Sequence, residues 1–170
     1  MTDKLTLVLV VGLPGAGKST LAAEISRALG WPAIDKDTLK STLLEEGMTN
    51  EVASGVAYQL MYALGRDLLV QQKISVIFDS PDPYLHKIDE LLRATQADLK
   101  IILCLAEREV RNQRVAERTR KLSQPVGVST TEGDGRQRYS HLPPGTLMVQ
   151  TTQPLAEIVK QALDYLQSTA

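Results

Sequence analysis

Eight consecutive residues near the start of the chain, Gly12-Leu13-Pro14-Gly15-Ala16-Gly17-Lys18-Ser19, combine a flexible backbone, a fixed positive charge and a hydroxyl. Glycines let a loop turn tightly and bring its N–H groups close to an anion. A helix that starts where the loop ends adds free N–H groups and the positive end of its dipole. The pattern Gly-x4-Gly-Lys-Ser therefore suits a polyphosphate: backbone amides cradle the phosphates, Lys18 reaches the β and γ groups, and the Ser19 hydroxyl ligates Mg²⁺. At ordinary residue usage such a match arises by chance in roughly one chain in two hundred of this length, so the flanking elements decide its meaning. A strand should precede it and a helix follow it. The ligands expected on these grounds are ATP and Mg²⁺, held by Gly12, Leu13, Pro14, Gly15, Ala16, Gly17, Lys18, Ser19 and Thr20.

Other residues could extend this chemistry. Asp79 ends the apolar run Ile74-Ser75-Val76-Ile77-Phe78, the arrangement in which a strand-end carboxylate holds Mg²⁺ directly or through water. Arg111, Arg114 and Arg118 fall at i, i+3 and i+7 and put three guanidinium groups on one helical face. Exposed arginines can equally pair with Glu107, Glu109 and Glu117 on a solvated surface. Cys104 lies between Leu103 and Leu105 and reads as a buried strand position rather than a nucleophile. His86 and His141 have no partner pattern that would make a zinc site or a triad.

The elements needed to position these groups can be read in order. Leu5 to Val11 is a near-continuous β-prone run, the pattern of a parallel strand buried on both faces. After the glycine loop, Leu21, Ala22, Ile25, Ala28 and Leu29 recur at helical spacing, with Gly30 and Pro32 as a stop. Ala33-Ile34-Asp35 reads as a short second strand. Asp37 or Thr38 can cap the helix after it, which runs to Gly47. Thr49 or Asn50 opens a longer helix whose stripe Val52, Val56, Leu60, Met61, Leu64 and Leu68 is expected to face the core, although Gly55 and Gly65 weaken the helix. Strands follow over Ile74 to Asp79 and Leu99 to Leu105, separated by a helix through Leu85, Ile88, Leu91 and Leu92. An arginine-rich helix spans Glu107 to Lys121, a last strand Thr146 to Gln150, and a closing helix starts at Pro154. From Leu122 to Gly145 periodicity is lost and glycine and proline accumulate, which points to a disordered segment or to a functional lid, the latter expected to be mobile without ligand. The alternation of strands and helices predicts an α/β, three-layer P-loop NTPase fold, a parallel sheet with helices on both faces. The whole chain, 1–170, reads as one domain with its lid at about 107–145.

Four segments in sequence, Gly12 to Thr20, Ile34-Asp35-Lys36-Asp37-Thr38-Leu39-Lys40, Val76-Ile77-Phe78-Asp79 and Arg114-x3-Arg118, resemble the small P-loop kinases grouped with zeta toxins, chloramphenicol phosphotransferase and the kinase domain of polynucleotide kinase. The likeness spans nearly the whole chain, and the phosphate loop is its specific part. It implies that an aspartate just after the second strand accepts the proton of a substrate hydroxyl, which places Asp37 in that role with Asp35 as the alternative. It also implies that Arg114 and Arg118 act as lid arginines on the transferring phosphate, and that Lys18 is catalytic as well as binding.

Composition narrows the remaining choices. The 170 residues carry 19 basic and 20 acidic side chains, for a net charge of −1 at pH 7. No overall field therefore attracts nucleic acid or an anionic membrane. The run Leu5 to Val11 is too short to span a bilayer. One cysteine permits no intrachain disulfide, which fits a cytoplasmic setting. No Asn-Lys-x-Asp segment reads guanine, and the length leaves little room for the second helical domain of a motor ATPase. The expected activity is transfer of the γ-phosphoryl group of ATP to a hydroxyl of a small molecule, a nucleic-acid end staying open as acceptor. The alternative is an ATP-binding regulatory switch with no acceptor. The acceptor and the oligomeric state are not encoded in any segment that can be decoded.

Overall fold

The computed structural model describes residues 4–82, 84–118, 121–124 and 131–168. Five strands form one parallel sheet: β1 Thr6–Val11, β2 Ala33–Asp35, β3 Val76–Asp79, β4 Asp98–Leu105 and β5 Leu147–Gln150, in the order β2-β3-β1-β4-β5. The six α-helices are α1 Lys18–Leu29, α2 Lys36–Glu45, α3 Asn50–Val70, α4 Leu85–Thr95, α5 Arg108–Glu117 and α6 Leu155–Gln167, with a short 3₁₀ turn at Arg136–Tyr139. Every residue of β1 is buried, as its continuous apolar run requires of a strand with a neighbour on each side and helices on both faces.

Because side chains alternate along a strand, the two faces of the sheet have separate cores. Leu7, Leu9 and Val11 pack with Phe78 and with Met61 and Ile88 of α3 and α4, whereas Val8 and Val10 pack with Ile77, Ile102 and with Ile25 and Ile158 of α1 and α6. The chain runs from β1 out to β2, returns to β3, and then crosses β1 to reach β4 and β5. Since all strands are parallel, the loops after β1, β2, β3 and β4 collect at one edge, where open α/β sheets bind ligands. None of the described helices is long and apolar enough to cross a membrane.

Four local readings change. The buried face of α3 is Ala53, Ala57, Met61, Gly65 and Leu69. Of the expected stripe, Met61 is buried and Val56 and Leu68 are half-buried, but Val52, Leu60 and Leu64 are exposed to 53%, 39% and 46%. Small residues let the helix lie close to the sheet: a Cβ at Gly65 would sit 2.3 Å from Cζ of Phe78. Hydrophobic pattern alone favoured the bulky side, but close packing is available only to the small one. Second, α2 is capped by Asp35, whose side chain accepts from the N–H of Asp37 at 2.8 Å, and Asp37 lies in the first turn. Third, α5 stops at Glu117, and Arg118 is already extended. Fourth, the stretch expected to lack structure is ordered in its second half. Arg111 is fully buried and donates to the carbonyls of Ala106, Gly133 and Thr131 at 2.6, 2.7 and 2.6 Å. Tyr139 is buried and donates to the carbonyl of Pro81 at 2.6 Å. The parts of the expected lid at 119–120 and 125–130 lie outside the described residues.

Candidate active site

The glycine loop links β1 to α1, as the sequence requires of a phosphate loop. Gly15 and Gly17 have φ of 78° and 89°, in the left-handed region that strains other residues. Space is also lacking: a Cβ on Gly15 would lie 2.4 Å from the carbonyl oxygen of Arg111, and one on Gly12 would lie 2.6 Å from that of Cys104. The loop is thus pressed against β4 and the start of α5. Leu13 and Ala16 are buried, and the Leu13 carbonyl accepts from the Ala16 N–H at 3.0 Å and from Nζ of Lys18 at 3.3 Å. Pro14 is half-buried in the turn between them.

The start of α1 is built for an anion from outside the chain. No side chain caps it, and no acidic residue lies in its first turn. Lys18 occupies the first helical position, where the helix dipole repels a cation. Free N–H groups and an ammonium facing one point are stabilised together only by negative charge. Ser19 and Thr20 follow on the exposed side of the helix.

Asp79 lies beside these groups. Backbone pairing places it level with Val10 on one side and Asp35 on the other. It is 4% exposed, and burial pushes its carboxyl up to about 6 against the opposing effects of Lys18 and of a hydrogen bond from Ser19. Asp35 and Asp37 raise it further. The hard oxygens of Ser19 and Asp79, in direct contact, fit Mg²⁺, which usually keeps waters and substrate phosphates as its other ligands. Among the described residues there is no group of three or more His, Cys, Asp or Glu side chains that could hold a metal ion by themselves.

On the far side of Asp79 stands the N-terminus of α2. Both oxygens of Asp35 are engaged: Oδ1 accepts from the Asp37 N–H, and Oδ2 accepts from the Thr38 hydroxyl at 2.8 Å and from Nζ of Lys121. Burial pushes Asp35 up, but Lys121, Thr38 and the Asp37 N–H together hold it below the usual carboxylate range. The Asp37 carboxylate is half-buried and meets Nζ of Lys36 at 3.4 Å. Lys36 itself is buried. Ser123, beyond α5, donates to the Asp37 carbonyl at 2.8 Å and meets Ser41 at 2.9 Å. Residues 121–124 thus close over α2, a contact that no pattern in the sequence announced.

The arginines separate. Arg111 is the carbonyl anchor already described. Arg114 donates to the hydroxyl and the carbonyl of Thr151 at 2.8 and 2.7 Å and to the Gly15 carbonyl at 3.4 Å, so it joins α5 to the phosphate loop and the β5–α6 turn. Arg118 is half-buried at the end of α5. A cavity of ≈ 270 Å³ opens here, lined by Gly17, Thr20, Arg114, Thr151, Gln153 and their apolar neighbours. Thr151 and Tyr139 are site residues that sequence reasoning missed. Tyr139 stood in a glycine- and proline-rich stretch with no periodicity, yet burial pushes its phenol up to about 12 and the Gly12 N–H bonds to it. Cys104 is buried behind the loop, and burial pushes its thiol up to about 12, as a core residue would have it.

A family model described as an AAA domain matches residues 7–142. The chain belongs to that family. No curated protein matches this AAA-domain chain in sequence. Among solved structures, a presumed kinase from Chloroflexus aurantiacus J-10-fl is similar over 98% of both chains, with a TM-score of 0.72 and 19% identity. A gluconokinase from Sinorhizobium meliloti 1021 is similar over 96% of this chain and 91% of its own, with a TM-score of 0.61 and 23% identity. The APS kinase of Mycobacterium tuberculosis, solved with AMPPNP and APS, is similar over 97% and 99%, with a TM-score of 0.68 and 16% identity. The fold of this AAA-domain chain is that of the small P-loop kinases.

Proposed function

We propose that the chain is an ATP-dependent kinase that transfers the γ-phosphoryl group to a hydroxyl of a small molecule. The observation that carries this reading is the order of groups along one sheet edge: an uncapped helix start with Lys18 and Ser19, then buried Asp79, then the carboxylate of Asp37. A nucleotide site needs the first two. A carboxylate facing them across Asp79 is what transfer to a hydroxyl adds. The gluconokinase and APS kinase folds give the same reading by analogy.

In this reading the amides of Gly12 to Gly17 and the start of α1 hold the phosphates, with Lys18 meeting the β and γ oxygens. Ser19 and Asp79 would hold Mg²⁺, which supplies charge neutralisation between those phosphates. The cavity beside Thr20, Arg114 and Thr151 takes the base. Arg114 sets the distance between that cavity and the phosphate loop, and Arg118 faces the transferring group from the end of α5. Asp37 serves as the base because Asp35 is committed to the helix cap and to Lys121. A bond forms from the acceptor oxygen to the γ phosphorus as the bond from that phosphorus to the β-bridging oxygen breaks; ADP leaves, and the acceptor proton passes to Asp37.

The test is a screen of hydroxyl-bearing compounds for acceptor-dependent ATP consumption, with ³¹P detection of the product and Lys18→Ala alongside. Lys18→Ala should weaken ATP·Mg²⁺ binding and abolish turnover. Unchanged affinity and turnover in that variant would defeat the site assignment.

A further inference from the structure

On the β3 side of the sheet, opposite the cavity beside Arg114, a second cavity of ≈ 550 Å³ opens between α3 and α4 with Tyr58, Tyr62 and Tyr84 in its wall. Its volume is in the range of small-molecule sites. Tyr58 and Tyr84 meet edge to face with ring centroids 4.5 Å apart, and Tyr58 and Tyr62 lie 6.3 Å apart at 22°.

Three features set this cluster apart from ordinary core. The Tyr62 hydroxyl is buried without a hydrogen-bond partner, and a buried donor of that kind asks for an acceptor. Tyr84 is 43% exposed and held at φ 41°, ψ 61°, a left-handed conformation that a tyrosine adopts only at a cost. Strain that presents an aromatic face to a cavity is unexplained by packing. Lys87 and Glu90 at the rim pair with each other at 2.9 Å, leaving the walls near neutral.

The cavity is also joined to the carboxylate assigned as base. Nζ of Lys36 lies 3.4 Å from Asp37 and 5.4 Å from the centre of the Tyr58 ring. The Tyr58 hydroxyl accepts from Ser80 at 3.1 Å, and Ser80 directly follows Asp79. Burial raises the Tyr58 phenol, and Asp37 raises it further, so the ring and the carboxylate share one electrostatic environment.

We propose that this cavity is the acceptor subsite and that the acceptor is a hydroxyl-bearing compound with a planar aromatic or heteroaromatic ring. The ring lies against Tyr58 and Tyr84, and the reacting hydroxyl projects toward Asp37. Tyrosine faces bind a π-system through offset or edge-to-face contact. The charged groups at the rim, Lys87 and Glu90, pair with each other, so an open-chain polyol or sugar acid would leave the tyrosine faces uncovered. The inference rests on the kinase reading for the role of the cavity, and on the cavity alone for the class of ligand.

The experiment therefore reads binding without turnover. Calorimetry is run on the protein loaded with AMPPNP and Mg²⁺, using phenylpropanediols, hydroxymethylpyridines and nucleosides as ring probes, and gluconate and glycerol as open-chain probes. At least one ring probe should bind, and Tyr84→Ala should weaken it by about tenfold, the scale of losing one stacked ring. Tyr58→Leu, which removes the other ring of the wall, should weaken it by a similar factor. Melting temperature and AMPPNP affinity report whether each variant is folded. Absence of ring-probe binding, preference for the open-chain probes, or ring binding indifferent to both variants would overturn the proposal. The probes that bind are then incubated with the protein, Mg²⁺ and ATP in place of AMPPNP; ring binding with no phosphorylated product there would remove the kinase reading and leave the ring site standing.

Discussion

Asp79 sits between the phosphate loop and α2, and its burial carries a cost that the free protein bears at neutral pH. Its carboxyl titrates near 3.8 when unfolded and at about 6 when folded. Between those values the folded state binds more protons, so stability falls as pH rises from about 4 to about 6, and the cost is then fully present. Replacing the charge removes it. Asp79→Asn, without nucleotide, should be more stable than the wild type at pH 7.5 by ~1–3 kcal/mol, with the gap shrinking toward pH 4. Thermal melts at the two pH values measure this. Equal melting temperatures at pH 7.5 would show that the carboxylate is not desolvated. Activity should move the opposite way, because the same variant loses the charge that would face Mg²⁺. Such a trade of stability for function is common where a charge is held ready for a ligand. Asp35 behaves differently, since its partners are part of the fold: it caps α2 and meets Lys121.

The elements show how far sequence pattern reaches. β1, the glycine loop and the start of α1 were legible because an unbroken apolar run, a left-handed glycine pattern and a helical repeat each have one cheap solution. Ala33-Ile34-Asp35 was found as β2 for the same reason, and Gly30 ends α1 with its N–H bonded to the Ser26 carbonyl. The face of α3 was not legible. Its bulky residues form a regular stripe, and only the approach of Phe78 to Gly65 shows that the small residues face inward. The cap of α2, expected at Asp37 or Thr38, falls two or three residues earlier at Asp35, because these are all good capping types and the end of β2 decides between them. Gly65→Ala tests the α3 packing. Helix propensity alone would gain ~1 kcal/mol, but a methyl 2.3 Å from the Phe78 ring overpacks a buried site. A net loss of about 1–2 kcal/mol in chemical denaturation is expected. A gain would place α3 further from the sheet.

Across the whole molecule, the proposed nucleotide and acceptor sites divide along the sheet. The cavity with Thr20, Arg114 and Thr151 lies on the β5 side, and the tyrosine cavity on the β3 side. Asp79 and the phosphate loop lie between them. Groups distant in sequence are joined here, Arg114 with Thr151 and Lys121 with Asp35, and such pairs leave no local signature for a sequence to show. A lid over Leu122 to Gly145 is still a proposal, and the same contacts favour a narrower one at 121–124. Arg111 anchors Thr131 and Gly133, and Tyr139 ties the 3₁₀ turn to Pro81. Hydrogen exchange on the free protein should accordingly find the turn at 136–139 protected, with ligand-dependent change at 121–124, where Lys121 and Ser123 rest on α2. Rapid exchange at 136–139 would restore the wider lid.

Phosphorylation of an acceptor by ATP across this edge is tested by ³¹P NMR of wild type and Asp37→Asn with ATP, Mg²⁺ and an acceptor taken from the screen. The wild type should convert the γ signal of ATP into that of a phosphorylated acceptor. Asp37→Asn should keep ATP affinity within a few-fold, because the residue faces the acceptor, while transfer falls by ~10²-fold or more. If the wild type releases only inorganic phosphate with every compound tested, and Asp37→Asn does so at the same rate, the chain is a nucleotide-hydrolysing switch and not a kinase.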